Sequence, residues 1–298
     1  MVIDDDRLAH DLAAEAGRRL LDLRDRADSG DQGALRAAGD RLSHEYLTAA
    51  LAAHRPGDAV LSEEGEDDPV RLAARRVWIV DPLDGTREFG EAGRTDWAVH
   101  VALWARTDLA PAGRSDPGRL VAGAVALPAQ GQTFSTVRTG PDPSADAVPS
   151  PGTEGEGPAG TASGARRMRL VVSRTRPPEF VTRLAIGIGA DVIPLGSAGA
   201  KIIAVVTGAA DAYVHTGGMY EWDSAAPVAV AHAAGLHASR IDGRPLAYNQ
   251  PDPSLPDIIV CRSVMAEMLL AAIRSARTAD GTRASAVQGE PAASGGQG

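Results

Sequence analysis

Cysteine is almost absent. Cys261 is the only one, so no internal disulfide can staple the chain, and a disulfide-framed secreted scaffold is excluded. Aromatic residues are scarce at 4%, yet 298 residues of which 44% are hydrophobic can bury a core in one large domain or two modest ones. No apolar run approaches the ~18 residues of a membrane-spanning helix. The opening Met-Val-Ile-Asp-Asp-Asp has neither the basic nor the apolar region of a secretory signal. A soluble, cytoplasmic protein is the expectation, with no membrane partner. A basic surplus is lacking too: 30 Lys+Arg against 39 Asp+Glu give a formal charge of −9, which argues against binding nucleic acid polymers. Lysine is the last scarcity. Lys201 stands alone among arginines, a pattern of GC-rich coding that drains most arginines of information and singles out Lys201.

What is present divides the chain into two patterned halves. Leu8, Leu12, Ala16, Leu20 and Leu23 recur at helical spacing and predict an amphipathic helix over 7–25. After a Gly/Asp-rich break, a second helix is predicted from about Asp40 to Ala53, ended by turn residues. Strands follow at 59–62, 77–80, 97–104 and 121–127, the last paired with 132–138 as a hairpin. Residues 107–119 read as a surface loop. The second half alternates strands (168–173, 190–194, 211–215, 257–261) with helices (178–187, 199–207, 223–234, 264–276). Between the halves, 140–165 is nearly all Gly, Pro, Ala, Ser, Thr and acidic residues, too little apolar surface to offset its ordering entropy. The layout is an α+β half over 1–137, a flexible linker over 138–165, an α/β half over 166–277 and a disordered tail over 278–298.

The chemistry concentrates in Trp78-Ile-Val-Asp-Pro-Leu-Asp-Gly-Thr-Arg-Glu-Phe89. A buried strand ending in Asp81 and Asp84 sets two carboxylates where Pro82 and Gly85 bend the backbone. Hard divalent cations take oxygen ligands from such a rigid bend, the Leu83 carbonyl included. The Gly85 and Thr86 amides could hold a phosphate if they open a helix. Taken singly, the other acidic positions have plain readings: Glu63 and Glu64 as solvated charge, Asp40 and Asp223 as helix caps. His100, His215 and His237 read as core or strand-end residues, Cys261 as a buried strand residue without an activating pattern. Gly187-Ile-Gly189 lacks the third glycine of a dinucleotide loop.

The order Glu63-Glu64, then Asp-Pro-Leu-Asp-Gly-Thr, then Trp222-Asp223 resembles the inositol monophosphatase superfamily of Mg²⁺-dependent, lithium-sensitive phosphatases, over about residues 7–276. Arg87-Glu88-Phe89, Val172-Ser173-Arg174 and Leu195-Gly-Ser197-Ala-Gly-Ala-Lys201 are similar to its CysQ branch, the 3′(2′),5′-bisphosphate nucleotidases. The resemblance implies a layered αβαβα sugar-phosphatase fold. It implies one metal at Glu63, Asp81 and the Leu83 carbonyl and a second at Asp81, Asp84 and Asp223, with Glu63 and Glu64 both open as the direct ligand and two or three Mg²⁺ in all. Thr86, Asp40 and Glu64 are implied as catalytic residues, the Asp40–Thr86 pair orienting the attacking water. Gly85, Thr86, Arg87, Ser173, Arg174, Ser197 and Lys201 are implied at the substrate, a small phosphorylated molecule. The activity implied is hydrolysis of 3′-phosphoadenosine 5′-phosphate, with inositol-phosphate or fructose-1,6-bisphosphate hydrolysis as the alternative and Li⁺ as inhibitor. A non-catalytic metal- or phosphate-binding protein is the reading from a different class. Superfamily members are often dimers, which leaves a homodimer open. Bound metals reverse the local field, which reconciles an acidic protein with an anionic substrate.

Overall fold

The computed structural model describes residues 3–27, 31–107, 118–137 and 166–287. Most of the expected surface loop (108–117), the linker (138–165) and the end of the tail (288–298) lie outside these residues.

The chain opens with two helices. In α1 (Asp5–Arg26), Asp4 accepts the Arg7 N–H at 2.8 Å, and Asp5 and Asp6 add negative charge to the first turn. Its buried face is Leu8, Leu12, Ala16 and Leu20, one every four residues. Helix α2 (Gln32–His54) starts well before the predicted Asp40. The segment read as a break supplies its cap, since the Asp31 carboxylate accepts the Ala34 N–H at 2.9 Å. Asp40 therefore lies inside a helix, and the N-cap reading of it falls.

Ten strands form two five-stranded sheets among the described residues. The first holds β1 (Ala59–Ser62), β2 (Arg76–Asp84), β3 (Ala98–Ala105), β4 (Arg119–Leu127) and β5 (Gln132–Ser135) in that spatial order. Only β1–β2 is parallel. A 3₁₀ turn, Pro69–Leu72, precedes β2, and a short helix α3 (Thr86–Gly90) follows it. The second sheet has β6 (Arg169–Ser173), β7 (Asp191–Leu195), β8 (Ala212–Tyr220), β9 (His237–Ser239) and β10 (Ser254–Cys261) in the order β7-β6-β8-β10-β9. Its β7, β6 and β8 are parallel, while β10 runs against its neighbours. The helices of this half are α4 (Glu179–Gly187), α5 (Ala198–Val206), α6 (Glu221–Ala233) and α7 (Ala266–Val287). Helix α7 corrects the expected tail: 278–287 is helical, because this Ala-containing stretch has no proline to stop a helix already docked by Leu269 and Ile273.

Strand alternation decides the layers. Trp78, Val80, Val99 and Val101 face Leu8, Leu12, Leu47 and Leu51 of α1 and α2. Their neighbours Val77, Ile79, Ala98 and Ala102 face the other way, onto Ile202, Ile203, Ala225 and Val228 of α5 and α6. The same central core takes Val171, Tyr213, Ile258 and Val260 from the second sheet, whose far face carries Leu170, Val172 and Ile259 under α4 and α7. The stack is αβαβα, as the resemblance implied. Each large side chain buried there contributes about 1.5–3 kcal/mol. No helix among the described residues is long and apolar enough to cross a membrane.

Helix α6 approaches β4 closely at Gly123, where a Cβ would stand 2.6 Å from Ala229 Cβ and 3.2 Å from the Ala226 carbonyl oxygen. Gly123→Ala is expected to cost about 1–3 kcal/mol, seen as a lower urea midpoint. An unchanged midpoint would mean that α6 yields without cost.

Candidate active site

In a regular strand, residues three apart point to opposite faces. The pairing of β2 with β3 is regular up to Asp81↔His100 and resumes at Asp84↔Ala98, a shift of one residue. This bulge, placed at Pro82, brings Asp81 and Asp84 to the same side. Leu83 N–H closes the bend on Asp81 Oδ1 at 3.0 Å. Gly85 then takes the left-handed conformation, φ 85°, and Thr86 starts α3.

His100 is the residue sequence reasoning passed over. It is buried, as expected for a core histidine, but lies directly across from Asp81 and on the same face. Its Nε2 stands 3.2 Å from Asp84 Oδ2, and Nδ1 is 3.1 Å from the Trp222 carbonyl oxygen. A carbonyl only accepts, so Nδ1 carries a proton. Burial alone would push Asp84 up, but His100, Lys201 and the Gly199 N–H at 2.7 Å hold it below the ordinary carboxylate value. The α5 start is thus bonded to the second carboxylate of the bend.

The remaining carboxylates crowd this pair. Glu63 follows β1, its N–H on the Val80 carbonyl at 3.4 Å, one step before Asp81. Desolvation in the cleft, then the charges of Asp223 and Asp84, push it up to about 7, although the residue as a whole is exposed. Burial and the neighbouring Glu63, Asp84 and Asp223 charges raise Asp81 well above its ordinary value. Asp223 sits in the first turn of α6, which begins at Glu221, and accepts the Tyr220 N–H at 2.6 Å. It is not the N-cap that the sequence suggests, because the helix starts two residues earlier, after Tyr220, and Asp223 bonds back to that cap from the third helical position; burial and Asp84 push it up to about 6. Asp81 Oδ2 is buried without a hydrogen-bond partner. A bare buried carboxylate oxygen amid mutually repelling carboxylates is what a divalent cation would satisfy, and an all-oxygen donor set suits a hard one. The residues present fit a metal. Asp81, Asp84 and His100 offer ligand atoms that lie within 4.8 Å of one another, and the charges of Glu63 and Asp223 act on the same Asp81.

Thr86 Oγ lies 3.2 Å from Asp40 Oδ1 and 3.0 Å from the Leu83 carbonyl oxygen, so the sequence-distant Asp40 and Thr86 do meet. Burial, then the Glu64 charge, pushes Asp40 up to about 6. Glu64 itself is exposed.

Beside the carboxylates opens a cavity of 430 Å³ whose lining includes Asp84 and Asp223 together with Lys201, Arg176 and His215. Lys201 is nearly buried and donates to the Gly196 carbonyl, which depletes its exposure but not its place on the cavity wall. Ser173 also lines the cavity. Ser197 caps α5, its Oγ accepting the Ala200 N–H at 2.8 Å. Arg87 is exposed on α3. Arg174, expected at the substrate, is turned aside. Its guanidinium donates to Glu88 at 2.6 Å and to Glu91 at 3.0 Å, because those carboxylates lie where α3 meets the end of β6. Glu88 and Arg174, read from sequence as two separate markers, are one ion pair.

The raised carboxylates make the metal-free protein pH-sensitive. A carboxylate whose folded value is raised imposes no penalty below its unfolded value near 4, and a growing one as pH rises through the folded value. For Asp223, raised to about 6, the loss is on the order of 2–3 kcal/mol. The Tm of EDTA-treated protein should fall from pH 5 to pH 8, and Mg²⁺ should raise it more at pH 8. A metal-free Tm that climbs over this range would contradict the assignment.

A layered fold whose strand bulge gathers carboxylates around a capped helix start is that of the inositol monophosphatase family, whose model matches residues 5–278; the chain belongs to that family, which is metal-dependent. Within it, this chain is 50% identical over 276 residues to the 3′-phosphoadenosine 5′-phosphate phosphatase of Mycobacterium leprae, covering 91% of this chain and 94% of the relative. The protein of that name from Mycobacterium tuberculosis is 48% identical, covering 88% and 90%. Among solved structures, CysQ from Bacteroides thetaiotaomicron superposes with a TM-score of 0.64 at 27% identity, covering 87% of this chain and 97% of that one.

Proposed function

We propose that the chain hydrolyses 3′-phosphoadenosine 5′-phosphate to AMP and phosphate in the cytoplasm, with Mg²⁺ held by Glu63, Asp81, the Leu83 carbonyl, Asp84 and Asp223. The observation that carries the reading is the mixed lining of one cavity, which joins the carboxylates Asp84 and Asp223 to the cations Lys201 and Arg176. A monophosphate needs only a metal end. A bisphosphate leaves a second anion, and Lys201 and Arg176 on the cavity lining are where that anion is compensated. The half-identical relatives named for this substrate support it. In a cell the reaction would clear a by-product of sulfate assimilation.

When bound, the cations supply positive charge where the attacking and leaving oxygens become negative. The protein's own groups do the rest. The Thr86 hydroxyl, with its proton directed to Asp40 or the Leu83 carbonyl, offers a lone pair that orients a water. Asp40 Oδ1 takes the proton through that hydroxyl. The water oxygen bonds to phosphorus as the bond to the ribose 3′ oxygen breaks, and that oxygen leaves with a proton from solvent. Lys201 and Arg176 hold the 5′ phosphate. Li⁺ should inhibit at the Asp84–Asp223 side in a Mg²⁺-dependent manner. A phosphate-release panel at fixed Mg²⁺ tests the substrate reading. The kcat/KM should be highest for 3′-phosphoadenosine 5′-phosphate, and a higher value for inositol 1-phosphate or fructose 1,6-bisphosphate would overturn it.

A further inference from the structure

One buried charged cluster has no part in the chemistry above. Arg71 and Glu221 are each 1% exposed. They do not clasp one another; both grip the same two residues of the segment before β10. Asn249 gives its N–H to Glu221 Oε2 at 2.6 Å and takes Arg71 Nη1 on its side-chain oxygen at 2.8 Å. Gln250 gives its N–H to Glu221 Oε1 at 2.7 Å and takes Arg71 Nη2 on its carbonyl at 2.9 Å. Arg71 is held from behind by Asp67 at 2.9 Å, and the Glu221 N–H by the Pro253 carbonyl at 2.8 Å. Asn249 is the one non-glycine residue with positive φ, 59°, among the described residues, a conformation that asparagine adopts more readily than most.

Buried charges of this kind seldom stabilise more than well-packed apolar groups would, so fixing geometry is the better account of their presence. The geometry in question is close by. Asp67 and Arg71 belong to the connection that starts at Glu63, and Glu221 is two residues before Asp223. Glu63 and Asp223 come from different halves of the chain, yet their charges act on the same Asp81. The clasp is the hydrogen-bonded link between the two segments that carry them. None of its three residues lines the cavity.

We infer that Arg71, Asn249 and Glu221 are positioning residues that set the separation of Glu63 and Asp223 and so the affinity for the divalent cation, touching neither cation nor substrate. The inference rests on the ligand assignment above. Groups that orient metal ligands from behind typically change metal affinity about 10- to 100-fold when altered.

The test is Mn²⁺ binding to substrate-free full-length protein, followed by electron paramagnetic resonance, with Mg²⁺ activation measured alongside. Glu221→Gln sets an amide N–H against one of two N–H donors, and Arg71→Met removes the other grip. Both should weaken Mn²⁺ and raise the half-activating Mg²⁺ concentration about 10-fold or more. At saturating Mg²⁺, activity should return and KM should stay within about two-fold, whereas a partly misfolded sample would lose amplitude without a shifted midpoint. Asn249→Gly keeps the backbone conformation and removes only the side-chain contacts to Arg71, the acceptor for Nη1 and the donor to its carbonyl, so it supplies a milder variant should the others not fold. Wild-type binding with unchanged affinity in the folded variants overturns the inference alone. Failure of the wild type to bind Mn²⁺ overturns the ligand assignment, and the inference with it.

Discussion

Asp84→Asn should lower kcat/KM for 3′-phosphoadenosine 5′-phosphate by about 10³-fold or more, a loss of roughly 4 kcal/mol of transition-state stabilisation. The fold should survive. An asparagine oxygen can still accept the Gly199 N–H that Asp84 Oδ2 now takes at 2.7 Å, and the amide keeps the side-chain volume beside His100. What disappears is the negative charge and the second oxygen that would face the cation. Far-ultraviolet circular dichroism should match the wild type, while the rise in Tm on adding Mg²⁺ should shrink. Near-wild-type turnover at saturating Mg²⁺ would remove Asp84 from the metal site.

Asp40→Asn separates proton handling from metal binding. Asp40 touches Thr86 at 3.2 Å and lies inside α2. Asparagine can keep a hydrogen bond to the Thr86 hydroxyl but cannot take the proton from water. The expected result is a fall in kcat of about 10²-fold or more, with the half-activating Mg²⁺ concentration and KM little changed. Thr86→Val should reproduce it, and the double variant should be little worse than either alone, because the pair acts as a unit. Additive losses, or a shifted Mg²⁺ requirement in Asp40→Asn, would break this assignment.

Local signals made much of this legible in the sequence. The apolar spacing of α1, the apolar runs of β3 and β4, and the Pro82 and Gly85 bend are each written in a few neighbouring residues. The Gly/Asp stretch before Asp40 misled because an aspartate that ends one pattern also caps the next helix: Asp31 does so for α2. His100 looked like core because it is core. Only the register against Asp81 reveals its neighbours, and register is a pairing between strands rather than a property of one. A question about what lies opposite the bend would have found it. The Arg174–Glu88 ion pair was hidden for the same reason: the two residues lie far apart in sequence. The Arg71–Asn249 contact spans most of the chain and leaves no local trace.

The measurement that bears most directly on the account is product analysis of 3′-phosphoadenosine 5′-phosphate incubated with the purified protein and Mg²⁺, with and without EDTA. The account predicts adenosine 5′-monophosphate and one equivalent of phosphate with Mg²⁺, and intact substrate when EDTA is in excess. Adenosine 3′-monophosphate as product, or release that EDTA leaves untouched, would contradict it.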